Sequence, residues 1–61
     1  HPWPYAEPYI IHDPYASALY AVNVLHSRWP AAEPSIAKYT DFIVNFYNNN
    51  LRTNLKYIQA P

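Results

Sequence analysis

The residues able to do chemistry are few: three histidines, four acids, four basic residues and three serines in 61 positions, with no cysteine. His1 is the best metal ligand among them, because its amine and imidazole Nδ1 together suit Cu²⁺, the divalent ion with the highest general affinity. Pro2 follows it and has no amide N–H, so the usual square-planar chelate through peptide nitrogen is blocked there. His12 precedes a predicted helix and His26 lies far along it, so the three histidines are not expected to converge and no metal site is assigned. Ser17, His26 and Asp41 contain the residue types of a hydrolytic triad. Nine residues of helix separate Ser17 from His26, about 13 Å of rise, and no nucleophile–base pair is expected. Glu7, Asp13, Glu33 and Asp41 include no pair spaced to share a proton on a helix face. The chain is therefore read as non-enzymatic, with no catalytic residue, cofactor or metal.

Composition narrows the partners. The formal net charge is zero, which gives no electrostatic footprint for nucleic acid or an anionic membrane surface. No apolar run approaches the ~20 residues of a membrane span. Charged residues make up only 13% against 18% aromatic, including seven tyrosines, a balance that favours burial over disorder. A chain this short buries only ~60% of its unfolded surface and usually needs a disulfide, a metal or a partner. Without cysteine, a partner is the expected support. The His1 start, with no methionine in the chain, is read as that of a processed chain, a fragment or an engineered sequence; it leaves the compartment open and favours secretion slightly. No N-x-S/T sequon, PxxP ligand motif or internal repeat is read.

The elements follow from proline placement. Pro2, Pro4 and Pro8 fix φ and push their predecessors out of the α region, so residues 1–12 are read as an extended, polyproline-II-like arm. With three residues per turn, Pro2, Tyr5, Pro8 and Ile11 share one edge, and Trp3 and Tyr9 the next. Asp13-Pro14 is a helix start, an N-cap followed by a residue preorganised for the first turn. Helix 1 is predicted over 14–29, stopping before Pro30. One apolar stripe includes Tyr15, Leu19, Val22 and Trp29; a second is Ala16, Tyr20 and Val24. After a PAAEP link, helix 2 is predicted over 34–58, its face formed by Ile36, Tyr39, Ile43, Tyr47, Leu51, Leu55 and Ile58. The run Asn48–Asn50 has poor helix propensity, but the apolar phase continues across it. Glycine is absent, so no turn is expected to use a glycine at positive φ.

The fold class expected is thus all-α: one small domain, 1–61, with an extended arm and an antiparallel two-helix hairpin. Helix 2, ~37 Å at 1.5 Å per residue, would overhang helix 1, ~24 Å, by ~13 Å. Leu51, Leu55 and Ile58 would then need cover from the arm or from a second copy. The second stripe of helix 1 needs cover as well. The expected interaction surface is Trp3, Tyr5, Tyr9, Ala16, Tyr20, Val24, Leu51, Leu55 and Ile58. Function is expected through protein–protein contact, by self-association as a homo-oligomer, most simply a dimer, or by docking on a larger protein. On this reading Tyr20→Lys weakens association more than folding.

The stretch Tyr15-Ala16-Ser17-Ala18-Leu19, with Asn23 and Arg28 after it and a proline-rich arm before it, resembles the pancreatic polypeptide and neuropeptide Y family. The resemblance covers about half the chain and implies an arm packed along a tyrosine-bearing helix, as in a secreted signalling peptide. The sequence departs from that family where Pro30 and a further helix follow Arg28-Trp29, in place of an amidated tail. No receptor function is carried over. A small structural subunit of a larger assembly and an artificial sequence are the remaining alternatives.

Overall fold

The computed structural model describes residues 2–59, and over them the chain is all-α. Four α-helices follow in order: α1 Glu7–Ile10, α2 Pro14–Tyr20, α3 Glu33–Tyr39 and α4 Asp41–Leu51; one π turn, Ala21–Leu25, continues α2. The core joins Ala18, Tyr20, Ala21, Trp29, Ala32, Ile36, Ile43 and Tyr47, with Ile10, Ile11, Val24, Leu25, Phe46, Leu51 and Leu55 packed against it. The Cα radius of gyration, 10.7 Å, is the ~10.5 Å of a folded chain this long, which leaves no room for a protruding arm.

The N-terminal segment is where expectation and structure part first. In place of an extended polyproline arm, Trp3-Pro4-Tyr5-Ala6 makes a turn closed by the Ala6 amide on the Trp3 carbonyl at 2.9 Å, and α1 follows. Pro4 has the fixed φ favoured at the second position of such a turn. Pro8 lies in the first turn of α1, where its missing N–H costs nothing. The prolines shape turns here rather than a rod.

Helix 1 starts as predicted. The Asp13 carboxylate accepts from the amides of Tyr15 and Ala16, with Pro14 behind it. It ends at Leu25 and not at Trp29, capped by His26 at φ 53°. The four residues released let Trp29 turn inward, where its amide donates to the Tyr47 hydroxyl at 2.9 Å. The predicted helix 34–58 is two helices, α3 and α4, and it ends at Leu51. Thr40 breaks it in extended conformation, φ −149° and ψ 152°, and its Oγ1 accepts the Ile43 amide to cap α4. After Arg52, at φ 56°, the Asn48 side chain takes over. Its Oδ1 accepts from the Thr53 hydroxyl and the Leu55 amide, and its Nδ2 donates to the Leu55 carbonyl. An asparagine that satisfies backbone groups from its side chain competes with the helix, which explains why the apolar phase is not followed to residue 58. The Ile58 amide donates to the Ala37 carbonyl at 2.8 Å, so the tail lies back along α3 and the expected ~13 Å overhang does not form.

The chain is also an internal duplication, which corrects the reading of no repeat. Trp3-Pro-Tyr-Ala-Glu-Pro-Tyr-Ile10 and Trp29-Pro-Ala-Ala-Glu-Pro-Ser-Ile36 agree at six of eight positions, 26 residues apart. Their hydrogen bonds agree as well. Ala32 closes on the Trp29 carbonyl at 3.0 Å as Ala6 does on Trp3, and Ile36 on Ala32 at 3.0 Å as Ile10 does on Ala6. Each motif leads through a capping residue, Asp13 or Thr40, into a longer helix bearing a buried tyrosine, Tyr20 or Tyr47, and out through a left-handed residue, His26 or Arg52. The second unit has one extra residue before its cap. The first has one extra residue in its longer helix, where the π turn absorbs it, and the two units return to register.

Candidate interaction surface

Each unit is tied by a three-part clamp. In the first, the Tyr20 hydroxyl accepts the Trp3 amide at 2.6 Å and donates to Glu7 Oε2 at 2.8 Å. In the second, the Tyr47 hydroxyl accepts the Trp29 amide at 2.9 Å and donates to Glu33 Oε2 at 2.7 Å. The tyrosine thereby joins the start of each turn to the acid that opens its short helix. A phenol suits this role because its ring is buried apolar surface and its oxygen both donates and accepts. Arg28 adds a bidentate pair to the second clamp, with Nε and Nη2 each 2.9 Å from a Glu33 oxygen. Arg28 and the Tyr47 hydroxyl bond hold the Glu33 carboxyl below its ordinary pKa against the opposing effect of burial.

Burial pushes the Tyr47 hydroxyl up to about 12, opposed by the Trp29 amide and reinforced by Glu33. Burial raises Tyr20 in the same direction. A tyrosine that binds its proton more tightly when folded stabilises the fold below its unfolded pKa of ~10 and loses that contribution as pH rises through the folded value. The melting temperature should therefore fall between pH 10 and 12, and the Tyr47→Phe variant should show a shallower fall. A wild-type melting temperature that is flat to pH 12, followed by circular dichroism, would contradict the clamp.

The clamps change the status of several predicted contact residues. Tyr20 is 5% exposed and faces the chain's own core between Trp3, with ring centroids 6.4 Å apart, and Trp29 at 5.1 Å. A Tyr20→Lys change would consequently strike the fold itself. Ala16 and Val24 are half-buried, and so are Leu51 and Leu55. Trp3, Tyr5, Tyr9 and Ile58 are exposed. The structure thus gathers Trp3, Tyr5 and Tyr9 on one turn-and-helix segment and leaves Ile58 apart, on the tail. Sequence reading missed Phe42, exposed on the first turn of α4 at the position Tyr15 holds in α2. The signal for it is the repeat.

The chemistry-bearing residues remain dispersed. Ser17 is fully buried and its hydroxyl donates to the Ile10 carbonyl at 2.9 Å, whereas His26 and Asp41 are exposed. Among the described residues no three or more histidine and acid side chains are grouped to hold a metal; His1 lies outside those residues. Two open grooves flank the tail. One, of about 410 Å³, runs between the Arg28–Glu33 pair and residues 52–56; the other, about 550 Å³, is floored by Pro30, Pro34, Ala37 and Ile58. No helix among the described residues is long and apolar enough to cross a membrane.

The fold and surface define a small all-α protein of two tandem helix-pair units. No protein-family model matches the chain, and no curated protein or solved structure is significantly similar to it. Of the likeness to the pancreatic polypeptide family, the contact of the N-terminal segment with a tyrosine-bearing helix is present, through Trp3 and Tyr20; the extended arm is not.

Proposed function

We propose that this chain is a non-enzymatic protein that works through its surface, by self-association as a homo-oligomer. One observation supports the reading most. Trp3, Tyr5 and Tyr9 are 59%, 94% and 79% exposed within seven residues of sequence, while the Trp3 amide and the Glu7 carboxylate beside them are already hydrogen-bonded to Tyr20. Large aromatic rings in solvent with few free polar partners are the residues that interface cores favour. Near-zero net charge removes the long-range repulsion that keeps many proteins monomeric.

The direct test is mass in solution. Sedimentation velocity of the intact chain from ~10 μM to ~1 mM is expected to show a rising average mass. A single monomeric species over the whole range would sink self-association.

A further inference from the structure

We infer that the Trp3 face of the first unit is an uncovered unit-stacking face, and that its occupant is the same face of a second copy in a two-fold dimer. The inference rests on the self-association reading and names the surface and geometry involved. Its starting point is the unequal fate of two equivalent tryptophans. Trp29 opens the second unit and is 8% exposed, whereas Trp3 opens the first and is 59% exposed. The difference is that Trp29 has a unit in front of it, with the Tyr20 ring of the first unit 5.1 Å away. The motif is therefore built to be covered from that side, and in the first unit none of the described residues does so.

Three further observations select a second copy. First, two of the eight motif positions differ between the units, and both carry a tyrosine only in the uncovered one. Tyr5 and Tyr9 stand where the second unit has Ala31 and Ser35, which stay exposed although Trp29 is covered, so the two tyrosines widen the apolar surface beyond the patch that a preceding unit would cover. The fold does not require aromatics at those positions, since the second unit forms without them. Second, Glu7 is the only charged side chain between residues 2 and 11, and Tyr20 donates to it at 2.8 Å. Among the described residues of this segment, apposing the face with itself sets no free like charges together. Third, the other end of the stack is closed. Leu55 takes the place a third tryptophan would hold, is half-buried, and is pinned at both its backbone groups by Asn48. With one open end among the described residues, association closes at two copies through an isologous contact.

Each copy contributes three aromatic rings of roughly 150–250 Å² apiece, largely uncovered, so the dimer buries on the order of 1,000 Å² in total. That is the lower end of specific interfaces, and it fits a reversible dimer that forms at high micromolar concentration.

The experiment is a sedimentation and NMR dilution series on the full chain and three variants: Trp3→Lys, Tyr9→Lys and Ile58→Lys. The wild type should pass from monomer to dimer and no further, with amide shifts on dilution confined mainly to residues 2–11. Trp3→Lys and Tyr9→Lys should each weaken the dimer at least tenfold, with helical circular dichroism unchanged; Tyr9, at 79% exposed, is the safer of the two for folding. Ile58→Lys should leave dimerisation intact. Association that survives both N-terminal changes but is lost in Ile58→Lys would overturn this face while leaving the self-association reading standing. Growth past dimer into longer chains would overturn the two-fold arrangement in favour of head-to-tail stacking. A monomer at ~1 mM would remove both the face and the reading beneath it.

Discussion

Tyr47→Ala is expected to unfold this protein. Tyr47 is wholly buried and is among the largest side chains so placed. Truncating a core aromatic to alanine costs about 3–5 kcal/mol. The loss here is compounded, because the same side chain holds the Trp29 amide and the Glu33 carboxylate. Orphaning a buried hydrogen-bonding group adds about 1–3 kcal/mol. At ~0.05–0.15 kcal/mol per residue, a chain of this length has only about 3–9 kcal/mol in all. Tyr47→Phe keeps the ring and isolates the hydroxyl's share, so it should remain folded and lose about 1–3 kcal/mol. Urea titration followed by far-UV circular dichroism measures both. A Tyr47→Ala chain with a cooperative transition near the wild-type midpoint would show that the second clamp does not hold the fold.

The two tryptophans should separate just as clearly. Trp29→Ala removes a ring at 8% exposure that lies against Tyr20, and about 3–5 kcal/mol is expected. Trp3→Ala removes the same side chain from the same motif at 59% exposure, and less than half of that loss is expected, since burial scales with the area withdrawn from water. Both variants keep the backbone amide that donates to the clamp tyrosine. The contrast therefore reads ring packing alone. Equal destabilisation at low micromolar concentration, where the chain is monomeric on the present reading, would mean that the first unit does not cover the second as described.

The starts of elements were more legible than their ends. Asp13-Pro14 carries a cap and a preorganised first turn in two residues, and the structure uses both. Thr40 gave no comparable sign. Ile36, Tyr39, Ile43 and Tyr47 keep helical phase across it, so periodicity alone cannot reveal that its hydroxyl caps a new helix. The stops at His26 and Arg52 were hidden for a related reason. Left-handed positions are normally marked by glycine, and here a histidine and an arginine hold them at a strain of about 1–2 kcal/mol each. The duplication was visible in the letters. Reading each proline as a chain breaker gave the Pro2–Pro8 and Pro30–Pro34 groups different roles and hid the Trp, Ala, Glu and Ile they share. Tyr20 was misplaced because an amphipathic stripe shows that a tyrosine is apolar enough to be covered, but not whether its hydroxyl has an internal partner. Glu7 and the Trp3 amide supply that partner from thirteen or more residues away.

Two chemically alike clamps in one short chain create a problem of choice during folding. A tyrosine hydroxyl meets the same Trp-Pro-x-Ala-Glu turn twice, and the mismatched closure of Tyr47 on Glu7 satisfies the same donors and acceptors as the native one. Loop entropy separates the two only weakly. Closing 40 residues instead of 14 costs about 1 kcal/mol more on the logarithmic scaling, less than a tenfold preference. Arg28 tips the balance further, because it lies beside Glu33 and the first turn has no counterpart to it, so only the correct acid arrives with its second oxygen already engaged. A small asymmetry between the units, one arginine, thus favours the native closure of Tyr47 on Glu33.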